Sequence, residues 1–251
     1  MKRTILDVSP RELFSLFLTD CETAGVSARA IDHLRNAKRE PSKQLITLEK
    51  KWYKSLATGR PDYSVYATEE YLEDLWACWY IYSRKYLRHI RAKLKIRPAF
   101  VLDLGCGFGY TTAALSQMFP RAKVVGTNLP GTVQMKIAKR SAKGYTIEDL
   151  SRVQGRPDLV FASEYFEHHE RPIEHLRKVL ALKPRALLVA NTFNARSIGH
   201  FDEYTVDGQS CTGPATSRRF SQELLAHGFE GIPTGFWNSR PTYWRLRRGQ
   251  R

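Results

Sequence analysis

The sequence predicts an α/β fold, a doubly wound and mostly parallel sheet preceded by a helical extension. Three observations carry this expectation. From Pro98 onward, short strand-like runs alternate with helical ones, the pattern of a sheet with a parallel centre. Before Pro98, apolar residues recur at helical spacing. Where the second part begins, an apolar strand runs straight into a glycine turn and a helix start at Val101–Tyr110.

In the first part, Ser9-Pro10 offers a cap residue and a Pro at the first helical position, ahead of Leu13, Phe14, Leu16 and Phe17. A second helix is expected over Ser27 to Arg39, ending before Pro41. A third is expected from Thr68, read as its N-cap, to about Lys95, with Leu72, Leu75, Trp76, Trp79, Tyr80, Tyr86, Leu87 and Ile90 on its apolar stripe. Pro98 is the natural break, dividing a helical, basic N-terminal subdomain (1–97) from a second domain (98–251). There the runs are Phe100–Leu104, Thr111–Met118, Lys123–Gly126, Thr132–Lys139, Leu159–Ala162, Ile173–Leu182 and Ala186–Ala190. A helix near Ser217–His227 and strands at Phe229–Ile232 and Thr242–Leu246 complete it.

Composition limits the function classes. Of 251 residues, 42% are hydrophobic and 12% aromatic, enough for a buried core and against disorder. The formal charge of +15 favours a polyanionic partner, nucleic acid above all. No apolar run reaches the length of a signal peptide core or a membrane span. Cys21, Cys78, Cys106 and Cys211 are far apart and form no Cys-x-x-Cys pair, which reads as a reduced thiol set without zinc. A cytoplasmic location with no membrane partner is therefore expected.

The segment Val101-Leu102-Asp103-Leu104-Gly105-Cys106-Gly107-Phe108-Gly109-Tyr110 places glycines between a strand and a helix N-terminus. Glycine permits positive φ and close backbone approach, and a helix start offers unpaired N–H groups. No Gly-Lys-Ser/Thr follows, so it is not a P-loop, and it lacks the Gly-x-Gly-x-x-Gly of dinucleotide folds. The stretch resembles the first motif of the Rossmann-like (class I) methyltransferases that use S-adenosylmethionine (SAM). Val124–Asn128, Asp158–His168, Leu176–Pro184 and Phe220–Phe229 resemble later segments of that family in order, over roughly residues 98–248. The resemblance implies a SAM-dependent methyltransferase with Asp103, Gly105, Cys106, Gly107 and Gly109 serving the cofactor. It further assigns Asn128, where relatives carry an acid, to the ribose, Asp149 to the adenine and Ser163 to the fourth strand end.

Glu164, Glu167 and His168 follow that fourth strand. A helical turn would put the three on one face, and His200, after the fifth strand, could join them. The pattern is similar to that of the ubiquinone-pathway O-methyltransferases and the small-RNA 2′-O-methyltransferases, which implies Mg²⁺ or Mn²⁺ held by Glu164, Glu167, His168 and His200. The other reading has no metal, with His168 or His200 as general base.

For the acceptor, no Cys follows a Pro, which removes the cytosine-C5 class, and Ser163-Glu164-Tyr165-Phe166 lacks the prolines of DNA amino-methyltransferases. Basic residues at Arg84, Lys85, Arg88, Arg91, Lys93, Lys95, Arg97, Lys136, Lys139, Arg140, Lys143, Arg245, Arg247 and Arg248 favour an oxygen or nitrogen of nucleic acid, with Trp52, Tyr53, Tyr63 and Tyr66 available for stacking. The alternative is a small-molecule O- or N-methyltransferase with the N-terminal helices as a lid. A third reading is a SAM-binding partner protein without catalysis.

Overall fold

The computed structural model describes residues 4–36, 41–91, 93–94, 96–236 and 240–247. Seven strands form one sheet: β1 (Phe100–Leu104), β2 (Lys123–Thr127), β3 (Thr146–Glu148), β4 (Leu159–Ser163), β5 (Ala186–Ala190), β8 (Phe229–Pro233) and β9 (Thr242–Leu246). Their order is β3-β2-β1-β4-β5-β9-β8, with the first five parallel and β9 antiparallel to both neighbours. The order reverses between β1 and β4, and such a switch point opens a crevice at the carboxyl ends of the strands. Every residue of β1, β4 and β5 is buried, as central parallel strands covered on both faces must be. The expected mixed fold with a mostly parallel sheet is the one found. A two-stranded hairpin, β6 (Glu203–Val206) and β7 (Gln209–Thr212), was not expected from the sequence. The alternation of Glu203-Tyr204-Thr205-Val206 and the Asp207-Gly208 turn carried its signal, while the polar β7 hid the second strand.

The N-terminal chain forms α1 (Pro10–Thr23), α2 (Ala28–Asn36), α3 (Lys43–Ala57), α4 (Tyr71–Ala77) and α5 (Arg84–Ile90). Ser9 caps α1, its Oγ accepting from the Glu12 N–H at 3.3 Å. The expected continuation of the second helix beyond Asn36 falls on residues outside those described. Thr68 does not cap the third helix. Its hydroxyl donates to the Val65 carbonyl at 2.9 Å, closing a 3₁₀ turn at Tyr63–Ala67. Between α4 and α5 lies a π-helical stretch, Cys78–Ser83; such widened turns inside helices are frequent at functional sites.

Strand alternation sorts the core into two layers. Leu102, Leu104, Val160, Leu187 and Val189 face one side, with Trp52, Val65 and Tyr66 of the N-terminal chain. Val101, Leu159, Phe161 and Leu188 face the other, with Phe17, Leu72, Trp79 and Leu87. The aromatic stripe is thus core: Trp76 stacks on Phe17 at 4.6 Å and Trp79 packs against Tyr110. Much of the basic run is structural as well. Arg84 is buried and donates to the Val8 carbonyl, Arg91 pairs with Asp7 at 3.1 Å, and Arg245 pairs with Glu230 at 2.6 Å. Lys95 and Arg248 lie outside the described residues. Among those described, no helix is long and apolar enough to cross a membrane.

Candidate active site

The chain leaves β1 through Gly105, Gly107 and Gly109, at φ of +65°, +53° and +83°, and enters α6 (Tyr110–Met118). Only glycine adopts these angles three times in five residues without strain. The loop is tied from outside. The Cys106 N–H donates to the Thr127 carbonyl at 2.9 Å, and Asn128 Nδ2 donates to the Gly107 carbonyl at 2.6 Å. It is tied from beneath by Asp103, whose buried carboxyl accepts from the Thr111 and Thr112 hydroxyls at 2.6 and 2.7 Å. Burial pushes the Asp103 carboxyl up to about 7, against the pull of those two hydroxyls.

Over this loop opens a cavity of about 530 Å³, lined among others by Gly105, Gly107, Asn128, Asp149, Leu150, Tyr165, His169 and His175. That size and mixed lining fit a nucleoside-type ligand. A Cβ at Gly107 would meet only Leu75, at 3.8 Å, so its backbone stands open. At Gly105 a Cβ would fall 2.5 Å from the Tyr165 ring, which closes over the loop. The Tyr165 hydroxyl is 2.8 Å from His175 Nε2, and His169 stacks on His175 at 3.7 Å. Burial pulls these imidazoles down to about 3 and about 4, so both are neutral.

The structure therefore brings four of the eight expected cofactor residues to the cavity: Gly105, Gly107, Asn128 and Asp149. The other four are not in its lining. Asp103 ties the loop, Cys106 is buried against Met135, Ala138 and Ile147, Gly109 abuts Ala138, and Ser163 accepts from the Ser83 hydroxyl at 3.0 Å. Asn128 itself is engaged by the loop: Oδ1 accepts from the Leu129 N–H at 2.9 Å while Nδ2 holds Gly107.

The expected helical turn after β4 is absent. Glu164 has φ +50° and its N–H still donates to the Ala190 carbonyl at 2.9 Å, extending the ladder with β5. Only then does a 3₁₀ turn, Phe166–His168, begin. The consequence is a division of labour among the expected catalytic residues. Glu167 turns inward, completely buried, its Oε1 accepting from the Thr192 N–H at 2.6 Å. Burial, and then the neighbouring Glu164, push its carboxyl well above the usual carboxylate range. His168 Nδ1 lies 3.1 Å from the Tyr66 hydroxyl, and its ring meets that of His200 edge-on at 4.8 Å. His200 Nδ1 donates to the Ala195 carbonyl at 2.8 Å, which leaves the lone pair on Nε2. Burial lowers the pKa of both imidazoles. Gly199 (φ +84°) makes this possible, because a Cβ there would collide with the Tyr66 hydroxyl and His168 Nδ1.

A second cavity of about 270 Å³ adjoins the first. Asp74, Cys78, Tyr82 and Tyr86 line it from α4, the π stretch and α5; Glu164, His168, Thr192, His200 and Arg240 line it from the sheet. Glu164 and His168 belong to both cavities. Asp74, Thr192 and Arg240 had no signal in the sequence, since their roles come from chain segments far apart, while Tyr165 lay inside the segment read after the fourth strand without being singled out. The residues do not fit the expected divalent cation: among the described residues no group of three or more His, Cys, Asp or Glu is placed to hold one. Glu167 is bound to the Thr192 N–H, and His200 Nδ1 and His168 Nδ1 are each hydrogen-bonded.

Residues 71–234 match the family described as "Methyltransferase domain". Trans-aconitate 2-methyltransferase of Deinococcus radiodurans is 33% identical over 100 residues, 36% of this chain and 39% of the relative. Malonyl-[acyl-carrier protein] O-methyltransferase of Halalkalibacterium halodurans is 26% identical over 115 residues, 41% and 42% of the two chains. The chain thus spans about two fifths of the length of the curated relatives it matches. A putative O-methyltransferase from Nostoc punctiforme, 13% identical, superposes with a TM-score of 0.52 over 81% of this chain and 69% of its own, so the two share a fold. With the glycine loop, the switch-point crevice and this match together, the chain belongs to the methyltransferase domain family, within the SAM-dependent class I group.

Proposed function

We propose that this chain methylates an oxygen or nitrogen of a small molecule, with SAM in the larger cavity, the acceptor in the smaller one, and the N-terminal helices as its lid. The single observation that carries this is the junction of the two cavities at Glu164 and His168, with the outer wall of the smaller one built from α4, the π stretch and α5. A space of about 270 Å³ behind a helical lid is just below the usual range of small-molecule sites and far too small for a polymer. The relatives' names point the same way, to trans-aconitate and to malonyl-[acyl-carrier protein]. They favour this reading over the nucleic-acid acceptor that net charge suggested.

Bound SAM supplies an electrophilic methyl and a neutral thioether leaving group. The chain supplies alignment, which can account for much of the rate, and removal of a proton. His200 lines the acceptor cavity, and with its Nδ1 proton held by the Ala195 carbonyl its Nε2 lone pair is the group that would take the acceptor's proton. Tyr66 orients His168 at the junction, and the lid excludes water from the line of transfer. The test is tritiated SAM with cell extract, fractionated into DNA, RNA, protein and small molecules. Label in the small-molecule fraction is expected. Label in nucleic acid, lost as salt is raised, would overturn this reading.

A further inference from the structure

We infer that the acceptor is an extended molecule with a second, anionic group, which Arg240 holds where the acceptor cavity meets a further cavity outside it. This rests on the small-molecule reading above and states which small molecules fit. The further cavity, about 440 Å³, lies between the ends of β5 and β9 and the first half of α9 (Gly213–Ala226), with Asn191, Ser217, Ser221 and Trp244 in its walls. Arg240 is the residue that lines both cavities. Successive residues beyond β5 divide between them: Asn191 faces the outer space and Thr192 the inner one.

Arg240 is positioned by a neutral partner, Nη1 donating to the Thr192 hydroxyl at 2.8 Å. A guanidinium has five N–H donors and stays charged, so one hydroxyl leaves it able to take an oxyanion in bidentate fashion. Of the acids that share the inner cavity with it, Asp74 is pushed up to about 7 by burial, and burial raises Glu164 against the pull of Arg240 itself; burial lowers His168 and His200, which therefore add little competing positive charge. The first turn of α9 also borders the outer cavity through Gly213 and Pro214, and its Thr212 cap makes no side-chain hydrogen bond there. That leaves the N–H end of a 14-residue helix on the same side as the guanidinium, and both favour negative charge. The ligand is therefore a molecule whose nucleophilic atom reaches His200 and whose carboxylate or phosphate sits at Arg240, with the remainder in the outer cavity.

The full chain, given tritiated SAM and a small-molecule extract, should yield a labelled product retained on an anion exchanger. Phosphatase treatment of that product releases it if the anion is a phosphate and leaves it retained if it is a carboxylate. With the acceptor so isolated, Arg240→Gln should raise its KM by about tenfold or more, the scale of one lost charged hydrogen bond, at unchanged affinity for S-adenosylhomocysteine. Ser217→Trp, which fills the outer cavity from the exposed face of α9, should raise the same KM without touching Arg240. A neutral or cationic product, or an unchanged KM in both variants, would overturn the inference while leaving the small-molecule reading in place. Label found only in nucleic acid or protein would overturn that reading and this inference together.

Discussion

The proposed donor and acceptor sides of the crevice are built in opposite ways. The floor of the donor side is local: β1, the glycine loop and the start of α6 occupy consecutive residues 100–118, tied to Thr127 and Asn128 of the neighbouring strand end, and only its walls, with Asp149, Tyr165 and His175, come from later segments. The acceptor side is assembled from four distant places, with Asp74 and Cys78 on the N-terminal helices, Glu164 and His168 after β4, Thr192 and His200 after β5, and Arg240 before β9. A local site is specified by backbone conformation, and so it shows in glycine spacing. An assembled site is specified by packing, and so it does not. The two should also fail differently when mutated.

The sharpest separation comes from single substitutions on each side. Gly105→Ala combines a positive φ with a Cβ 2.5 Å from the Tyr165 ring. A penalty of about 3 kcal/mol for such strain predicts affinity for S-adenosylhomocysteine lower by roughly a hundredfold, measured by calorimetry. His200→Ala should instead leave that affinity intact and reduce kcat by about 10²–10⁴, the range for a lost general base. If both variants weakened cofactor binding equally, the division into two sides would be wrong.

Smaller effects test finer points. Tyr66→Phe removes the hydroxyl 3.1 Å from His168 Nδ1 and should lower kcat by about fivefold, a hydrogen bond of roughly 1 kcal/mol, with no change in cofactor affinity. Asn128→Asp replaces the donor to the Gly107 carbonyl with an acceptor. Cofactor affinity should fall by a few fold, about 1 kcal/mol; tighter binding would show that the ribose contact outweighs the loop tie. Last, Asp103 is raised from 3.8 to about 7, so the native chain binds this proton more tightly than the unfolded one. Its contribution to stability is complete below the unfolded value and disappears as pH rises through about 7. Asp103→Asn should flatten the slope of Tm against pH between these limits.

The sequence was most readable where chemistry and chain order coincide. The strand–glycine–helix stretch at Val101–Tyr110 predicted the loop that the structure shows, and the alternation after Pro98 predicted four of the five parallel strands in the right class of sheet, missing the three-residue β3. The pair His168 and His200, picked from two strand ends, does meet ring to ring. The Glu164–His168 spacing misled, because helical periodicity assumes helical φ and ψ, while Glu164 stays in the β4–β5 ladder at positive φ. One carboxylate then turned into the core, and the imagined metal site came apart. Charge misled in the same manner. Arg84, Arg91 and Arg245 counted toward a polyanion-binding surface in the sequence, but their guanidinium groups hold carbonyls and carboxylates of this same chain.

By itself the sequence determined the donor side: the class of fold, the glycine loop and its cofactor class, because those depend on backbone angles and strand periodicity that neighbouring residues encode. Only the tertiary structure decided the acceptor side. Which residues face the second cavity depends on how α4, the π stretch and α5 lie across the ends of β4 and β5, and on where the chain re-enters at Arg240. Those placements are set by side-chain packing between segments more than a hundred residues apart in the chain, as between Trp52 and His200, whose indole N–H and carbonyl are hydrogen-bonded. No local spacing records such a contact.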